Sequence, residues 1–212
     1  VVSKFIDNRP NDRIGMVVFG EQAYTQCPLT LDQDILQSFL SKLEIGMAGD
    51  STAIGSAIGI AVKRLKDLES KSKVMILLTD GRSNAGALPP IQAAQAAKTF
   101  GIKIYTIGVG TKGKAPFLVN SVFGQRYVYQ EVDIDEVTLK EISKITGGQY
   151  FRATDVESLK NIYDQIDEME KSEVKVIDHS EYKELFYYFL VPGLLLLLLE
   201  AGLSNTLLRR VP

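Results

Sequence analysis

Between Lys73 and Gly86 the chain reads KVMILLTDGRSNAG, and this stretch constrains the fold more than any other. Val74 to Leu78 form a continuous apolar run between polar flanks. That is the pattern of a parallel strand covered by helices on both faces. The run stops at Thr79, Asp80 and Gly81, which predicts a carboxylate at the carboxyl end of a buried strand. In open α/β sheets ligands sit just outside those ends. Asp80 is therefore placed to hold a hard cation or a polar ligand, and Gly81 lets the backbone turn sharply beside it.

The flanking sequence supplies the rest of such a sheet. Val1 to Asp7 reads as the end of a helix, stopped by Asn8, Arg9 and Pro10. Arg13 to Gly20 reads as a buried strand, with an extended piece from Tyr24 to Leu29. Leu31 to Leu43 has Ile35, Leu36, Phe39, Leu40 and Leu43 at helical spacing, a stripe expected to face the core. A second helix opens at Ser51 or Thr52 and runs through Leu65. A third spans Pro89 to Phe100 and leads into a strand from Lys103 to Val109. Phe117 to Val132 reads as two short strands around Phe123, Gly124 and Gln125, a hairpin insertion over about 114–132. A helix from Asp135 to Thr146, a strand at Tyr150 to Arg152 and a helix from Val156 to about Lys171 follow. The whole predicts an α/β domain over 1–168, a doubly wound and mostly parallel sheet.

Several chemistries are excluded by composition. A formal charge of −2 and the lack of a Lys/Arg cluster leave no field for nucleic acid. One cysteine, Cys27, cannot close an internal disulfide, and one histidine, His179, cannot build a zinc cluster. No base stands near Cys27 in sequence to activate it. Gly108, Gly110 and Gly113 match a dinucleotide-binding spacing, but Lys114, Ala115 and Pro116 follow where that motif needs a helix. Thr52 has two readings from its residues alone: a helix-capping hydroxyl, or an oxygen ligand across from Asp80.

The last thirty residues differ from the rest. Leu185 to Leu199 is apolar except for Pro192 and Gly193, and Leu203, Leu207 and Leu208 extend it past Glu200. A helix over 185–208 would span about 36 Å, enough for a hydrocarbon core of about 30 Å. The expectation is a transmembrane helix at 185–208, reached through a juxtamembrane linker at 169–184. Tyr187 and Tyr188 would lie in the interfacial belt. Arg209 and Arg210, in a tail at 209–212, would put the carboxyl terminus in the cytoplasm and the domain outside.

The run ending in Asp80 resembles the strand and acidic loop of von Willebrand factor type A domains. RIGMVVFG from Arg13 to Gly20 is similar to that family's second strand, GDSTAIGSA from Gly49 to Ala57 to its threonine loop, and KIYTIGVG from Lys103 to Gly110 to the strand after the acidic loop. The resemblance implies a metal-ion-dependent adhesion site, in which a divalent cation, usually Mg2+, is held by a DxSxS loop, a threonine and an aspartate. Thr52 and Asp80 match the last two. The DxSxS loop is expected upstream of Val1, so the chain is expected to be a fragment that lacks the family's first strand. Asp50, Arg82, Ser83 and Asn84 are expected to shape the partner-binding rim.

The hairpin, the segment ITGGQYFRATD and the leucine-rich carboxyl terminus are similar to the Bat aerotolerance proteins of bacteria, BatA and BatB. That resemblance implies an inner-membrane protein with a periplasmic domain, partnered by other Bat-type proteins and a MoxR-type AAA+ ATPase. It implies a non-enzymatic binding module whose cation takes an acidic residue of a partner. A metal-free scaffold of the same complex is the alternative. Hydrolysis at Asp80 would need a positioned His or Cys, which the sequence does not supply.

Overall fold

The computed structural model describes residues 1–70, 72–110, 113–121, 124–132, 134–178 and 186–205. The chain divides into a unit at Val1–Val174 and a second at Lys175–Pro212. In the first, α1 (Val2–Asp7) precedes the antiparallel pair β1 (Ile14–Phe19) and β2 (Ala23–Thr30). Then come α2 (Gln33–Ser41), α3 (Ile54–Leu65), β3 (Lys73–Thr79), α4 (Pro90–Thr99) and β4 (Ile102–Val109). The hairpin strands β5 (Gly113–Ser121) and β6 (Gly124–Val132), α5 (Glu136–Thr146), β7 (Tyr150–Ala153) and α6 (Val156–Asp178) follow. Gly113 thus opens a strand, so no helix N-terminus stands behind the glycine spacing at 108–113.

The parallel sheet has the order β3-β4-β7. Lys73 lies opposite Ile102 and Thr79 opposite Gly108, so the carboxyl ends of β3 and β4 are level. β7 joins only the second half of β4, from Thr106 opposite Tyr150 to Val109 opposite Ala153. The alternation of β4 feeds two cores. Ile102 and Ile104 pack with Ile54, Ile58, Ala93, Ala97, Leu139 and Ile142 of α3, α4 and α5. Tyr105 and Ile107 pack with Ile162, Tyr163 and Ile166 of α6 and with Phe5 of α1. Helices therefore cover both faces, as the apolar run predicted.

β3 itself is less buried than expected. Leu77 and Thr79 are buried, while Val74, Met75, Ile76 and Leu78 are intermediate. The cause is its position: among the described residues β3 pairs only with β4, and the central, more deeply buried strand is β4. The stripe on α2 also differs. Leu36 is buried at 1%, but Ile35 is 48% and Leu43 37% exposed. Leu43 falls beyond the end of the helix at Ser41, and Ile35 stands about 100° round the axis from Leu36.

In the second unit the leucines form α7 (Phe186–Asn205), 20 residues long. Among the described residues no helix is long and apolar enough to cross a membrane. This corrects the expected transmembrane helix at 185–208. Its apolar pattern is broken by Pro192 and Gly193 inside the helix and by Glu200. Leu185, Leu207, Leu208, Arg209 and Arg210 lie outside the described residues, as do His179 and the rest of 179–184. Helix α6 runs to Asp178, through the first part of the segment expected to be a linker.

Candidate functional site

Asp80 is the first residue after β3 and is exposed at the sheet's carboxyl edge. The buried hydroxyl of Thr79 accepts a hydrogen bond from the Gly81 amide at 3.3 Å, which folds the chain back at Asp80. The next residues bind the threonine loop. The amide of Thr52 donates to Oδ1 of Asn84 at 2.7 Å. In return the amides of Asn84 and Ala85 donate to the Thr52 carbonyl, at 3.1 and 3.4 Å. Both backbone polar groups of Thr52 are thus satisfied by the loop that carries Asp80.

The threonine hydroxyl points to the same place. A Cβ built on Gly81 would lie 2.8 Å from Thr52 Oγ1, so the glycine next to Asp80 is what lets that oxygen approach. Helix α3 begins one residue later than a Thr52 cap requires, with Ala53 as N-cap and no side-chain capping bond. Of the two readings left open by sequence, the cap is the one this geometry lacks. A hydroxyl and a carboxylate are hard oxygen donors of the kind Mg2+ and Ca2+ take. Among the described residues no group of three or more His, Cys, Asp or Glu gathers, so a softer metal cluster has no donors.

The other expected residues are distributed around this pair. Asp50 and Arg82 are exposed, and Ser51 and Ser83 are partly buried. Asn84, expected on the partner-binding rim, is exposed and also ties the two loops together.

The same edge carries a group that sequence reasoning missed. Arg152 on β7 pairs with Glu136 at the start of α5 and donates to the Gly110 carbonyl at 3.1 Å, where the hairpin leaves β4. Beside them Lys140 stands over the Tyr150 ring at 5.1 Å. Burial, and secondarily the charge of Glu136, push the Tyr150 phenol above its ordinary pKa. Glu136 follows the capping residue Asp135, whose side chain accepts from the Thr138 amide. That local acidic pattern was the only trace of the group in the sequence.

Comparison with known proteins agrees with this arrangement. Residues 1–165 match the model of the von Willebrand factor type A domain. Among solved structures, the hypothetical protein BatB from Bacteroides thetaiotaomicron superposes with a TM-score of 0.66 at 30% identity, over 80% of this chain and 85% of that one. An aerotolerance-related membrane protein from Bacteroides fragilis gives 0.64 at 28%, over 77% and 83%. Proximal thread matrix protein 1 from the mussel byssus, solved with zinc in its MIDAS motif, shares the fold at a TM-score of 0.59 and 22% identity, over 78% and 37%. The chain spans 62% of the length of one curated relative, at 30% identity, and 48% of another, at 25%. The chain belongs to the von Willebrand factor type A domain family, with Bat-type aerotolerance proteins among its relatives.

Proposed function

We propose that this protein is a non-enzymatic binding module whose Thr52 and Asp80 contribute to a metal-ion-dependent adhesion site. The observation that carries the reading is the convergence of the two loops: the Thr52 hydroxyl rests against Gly81, directly beside Asp80, at the carboxyl edge of a parallel sheet. Thr52 and Asp80 would hold a divalent cation, directly or through water, together with donors from a DxSxS segment. The bound cation would supply a strong local positive charge for a partner's Asp or Glu carboxylate. Asp50, Arg82 and Ser83 would shape the contact around it. The partners in this reading are other Bat-type membrane proteins or a MoxR-type ATPase.

A scaffold that works without metal is the second reading. One observation favours it: the hydrogen bonds from Asn84 and Ala85 to Thr52 fix the loops without any cation. Titration of Mg2+ and Mn2+ into the full-length protein, followed by calorimetry, separates the two. Cation binding that disappears in Thr52→Ala and Asp80→Ala is expected. Wild-type protein that captures its partner equally well in excess EDTA would refute the adhesion-site reading and leave the scaffold.

A further inference from the structure

The carboxylate that ends β3 is followed by the residue that its surroundings demand. Asp80–Gly81 is the only Asp-Gly pair in the chain, and there is no Asn-Gly pair. Contact as well as the turn fixes Gly81: a Cβ there would stand 2.8 Å from Thr52 Oγ1, so any other residue displaces that hydroxyl. The same lack of a Cβ leaves the Gly81 nitrogen unshielded beside the exposed Asp80. An aspartate followed by glycine is the pairing in which a backbone amide most readily attacks the preceding carboxyl group. The fold therefore places its most self-reactive dipeptide at the candidate site.

The reaction needs only water. The Gly81 nitrogen bonds to Cγ of Asp80, the amide proton and the carboxyl OH leave together as water, and a cyclic succinimide results. A second water opens the ring. Opening at Cγ returns aspartate. Opening at the main-chain carbonyl leaves the chain running through Cγ, as isoaspartate, with the original mass, an added methylene in the backbone and a carboxylate drawn in to Cα.

The structure restrains this step in two ways. The attacking species is the amide after loss of its proton, and that proton is engaged: the Gly81 nitrogen donates to Thr79 Oγ1 at 3.3 Å, and the same hydroxyl donates to the Gly81 carbonyl at 3.5 Å. Thr79 is 6% exposed, so the contact is shielded. Ring closure also requires the backbone to turn about Asp80, and the chain beyond it is tied down. Asn84 and Ala85 donate to the Thr52 carbonyl, and Asn84 Oδ1 accepts from the Thr52 amide. We propose that Asp80 is a site of isoaspartate formation through a succinimide with Gly81, and that the Thr79 hydroxyl holds the reaction in check. The proposal stands whether or not a cation binds at Thr52 and Asp80. Conversion would take the carboxylate out of the place the two loops give it.

Ageing in heavy-oxygen water near neutral pH tests this on the full-length protein, beside a blocked peptide of residues 77–83. Each passage through the succinimide leaves a heavy oxygen at residue 80, and electron-transfer fragmentation distinguishes isoaspartate from aspartate there. Wild type is expected to convert more slowly than the peptide. Thr79→Val, which keeps the volume and removes the hydroxyl, should convert about two- to tenfold faster than wild type, the factor that a neutral hydrogen bond allows. Glu170→Gln weakens the fold at the other end of the sheet and should convert at the wild-type rate. Equal rates in wild type and Thr79→Val overturn the proposal. So does a wild-type rate equal to the peptide's, or an acceleration in Glu170→Gln matching that in Thr79→Val, which would route the reaction through global unfolding. Absence of heavy oxygen at residue 80 in wild type and Thr79→Val, over a period in which the peptide converts, overturns the site itself.

Discussion

Replacing Glu170 by glutamine removes one charge and almost no volume from the opposite end of the sheet. Glu170 is 4% exposed and accepts three hydrogen bonds: from Tyr105 Oη at 2.6 Å, Lys103 Nζ at 3.0 Å and Ser72 Oγ at 3.0 Å. Burial pushes its carboxyl pKa up, but the bonds from Tyr105, Lys103 and Ser72 outweigh burial and hold it below the ordinary value. Glutamine can keep Oε1 toward Tyr105 and Lys103, and Ser72 can turn its hydroxyl to accept from the new amide. The Tyr105 and Ser72 bonds lose their charge, and each falls from about 1.5–3 kcal/mol to about 0.5–1.5. The Lys103 bond keeps the ammonium but loses the carboxylate it pairs with. The gain from no longer burying a carboxylate offsets part of this, so the expected loss is roughly 2 kcal/mol near neutral pH. With a urea m-value of about 2 kcal/mol per molar, the midpoint should fall by about 1 M. The sign with pH follows from the depressed pKa: this stabilisation is present above the unfolded carboxyl value and is lost as pH falls through the folded one. The gap between wild type and Glu170→Gln should therefore close on acidification. A variant as stable as wild type near neutral pH, or a gap that persists in acid, would refute the argument.

Two further outcomes are expected. Burial pushes the Tyr163 phenol up to about 12, so above about pH 10 the unfolded chain ionises there and the folded one does not. Alkaline denaturation should show an extra loss approaching about 2.7 kcal/mol between these values, absent in Tyr163→Phe, with a late tyrosinate absorbance step that the same substitution removes. Asn84→Ala removes the acceptor of the Thr52 amide. Cation affinity should fall while the urea midpoint moves by less than about 0.5 M, and a variant with full affinity would show that the loops are fixed without it.

The strand ending at Asp80 was legible because an apolar run and an abrupt polar stop are local signals. The helices that follow Asp32 and Asp135 were legible from their apolar spacing, and in the structure each aspartate accepts from an amide three residues on. Pairing order is not local. Nothing inside VMILL says that it lies at the edge of its sheet, and the enclosed strand is instead the one carrying Lys103 and Tyr105. The Glu170 cluster was illegible for the same reason, since its partners stand 65, 67 and 98 residues away. Asn84 was noticed as a rim residue, but its bond to Thr52 spans 32 residues. The leucine run was read as a span that tolerates Pro192, Gly193 and Glu200, whereas the helix formed is the 20 residues Phe186–Asn205 with all three inside it.

The two ends of the sheet are joined by one helix. α6 opens just after β7, where Asp155 accepts from the Ser158 amide at 2.7 Å, close to the edge that carries Arg152 and Gly110. Fourteen residues on from 156, at about 1.5 Å each, it has descended about 21 Å. That distance is comparable with the length of β4, eight residues at about 3.3 Å. There Glu170 is fixed to Lys103 and Ser72 at the amino ends of β4 and β3. The chain therefore leaves the α/β unit at the edge opposite Thr52 and Asp80. The position of this buried carboxylate gives it a structural role: paired with Lys103, it holds α6 against the amino ends of β3 and β4, at the edge opposite Thr52 and Asp80.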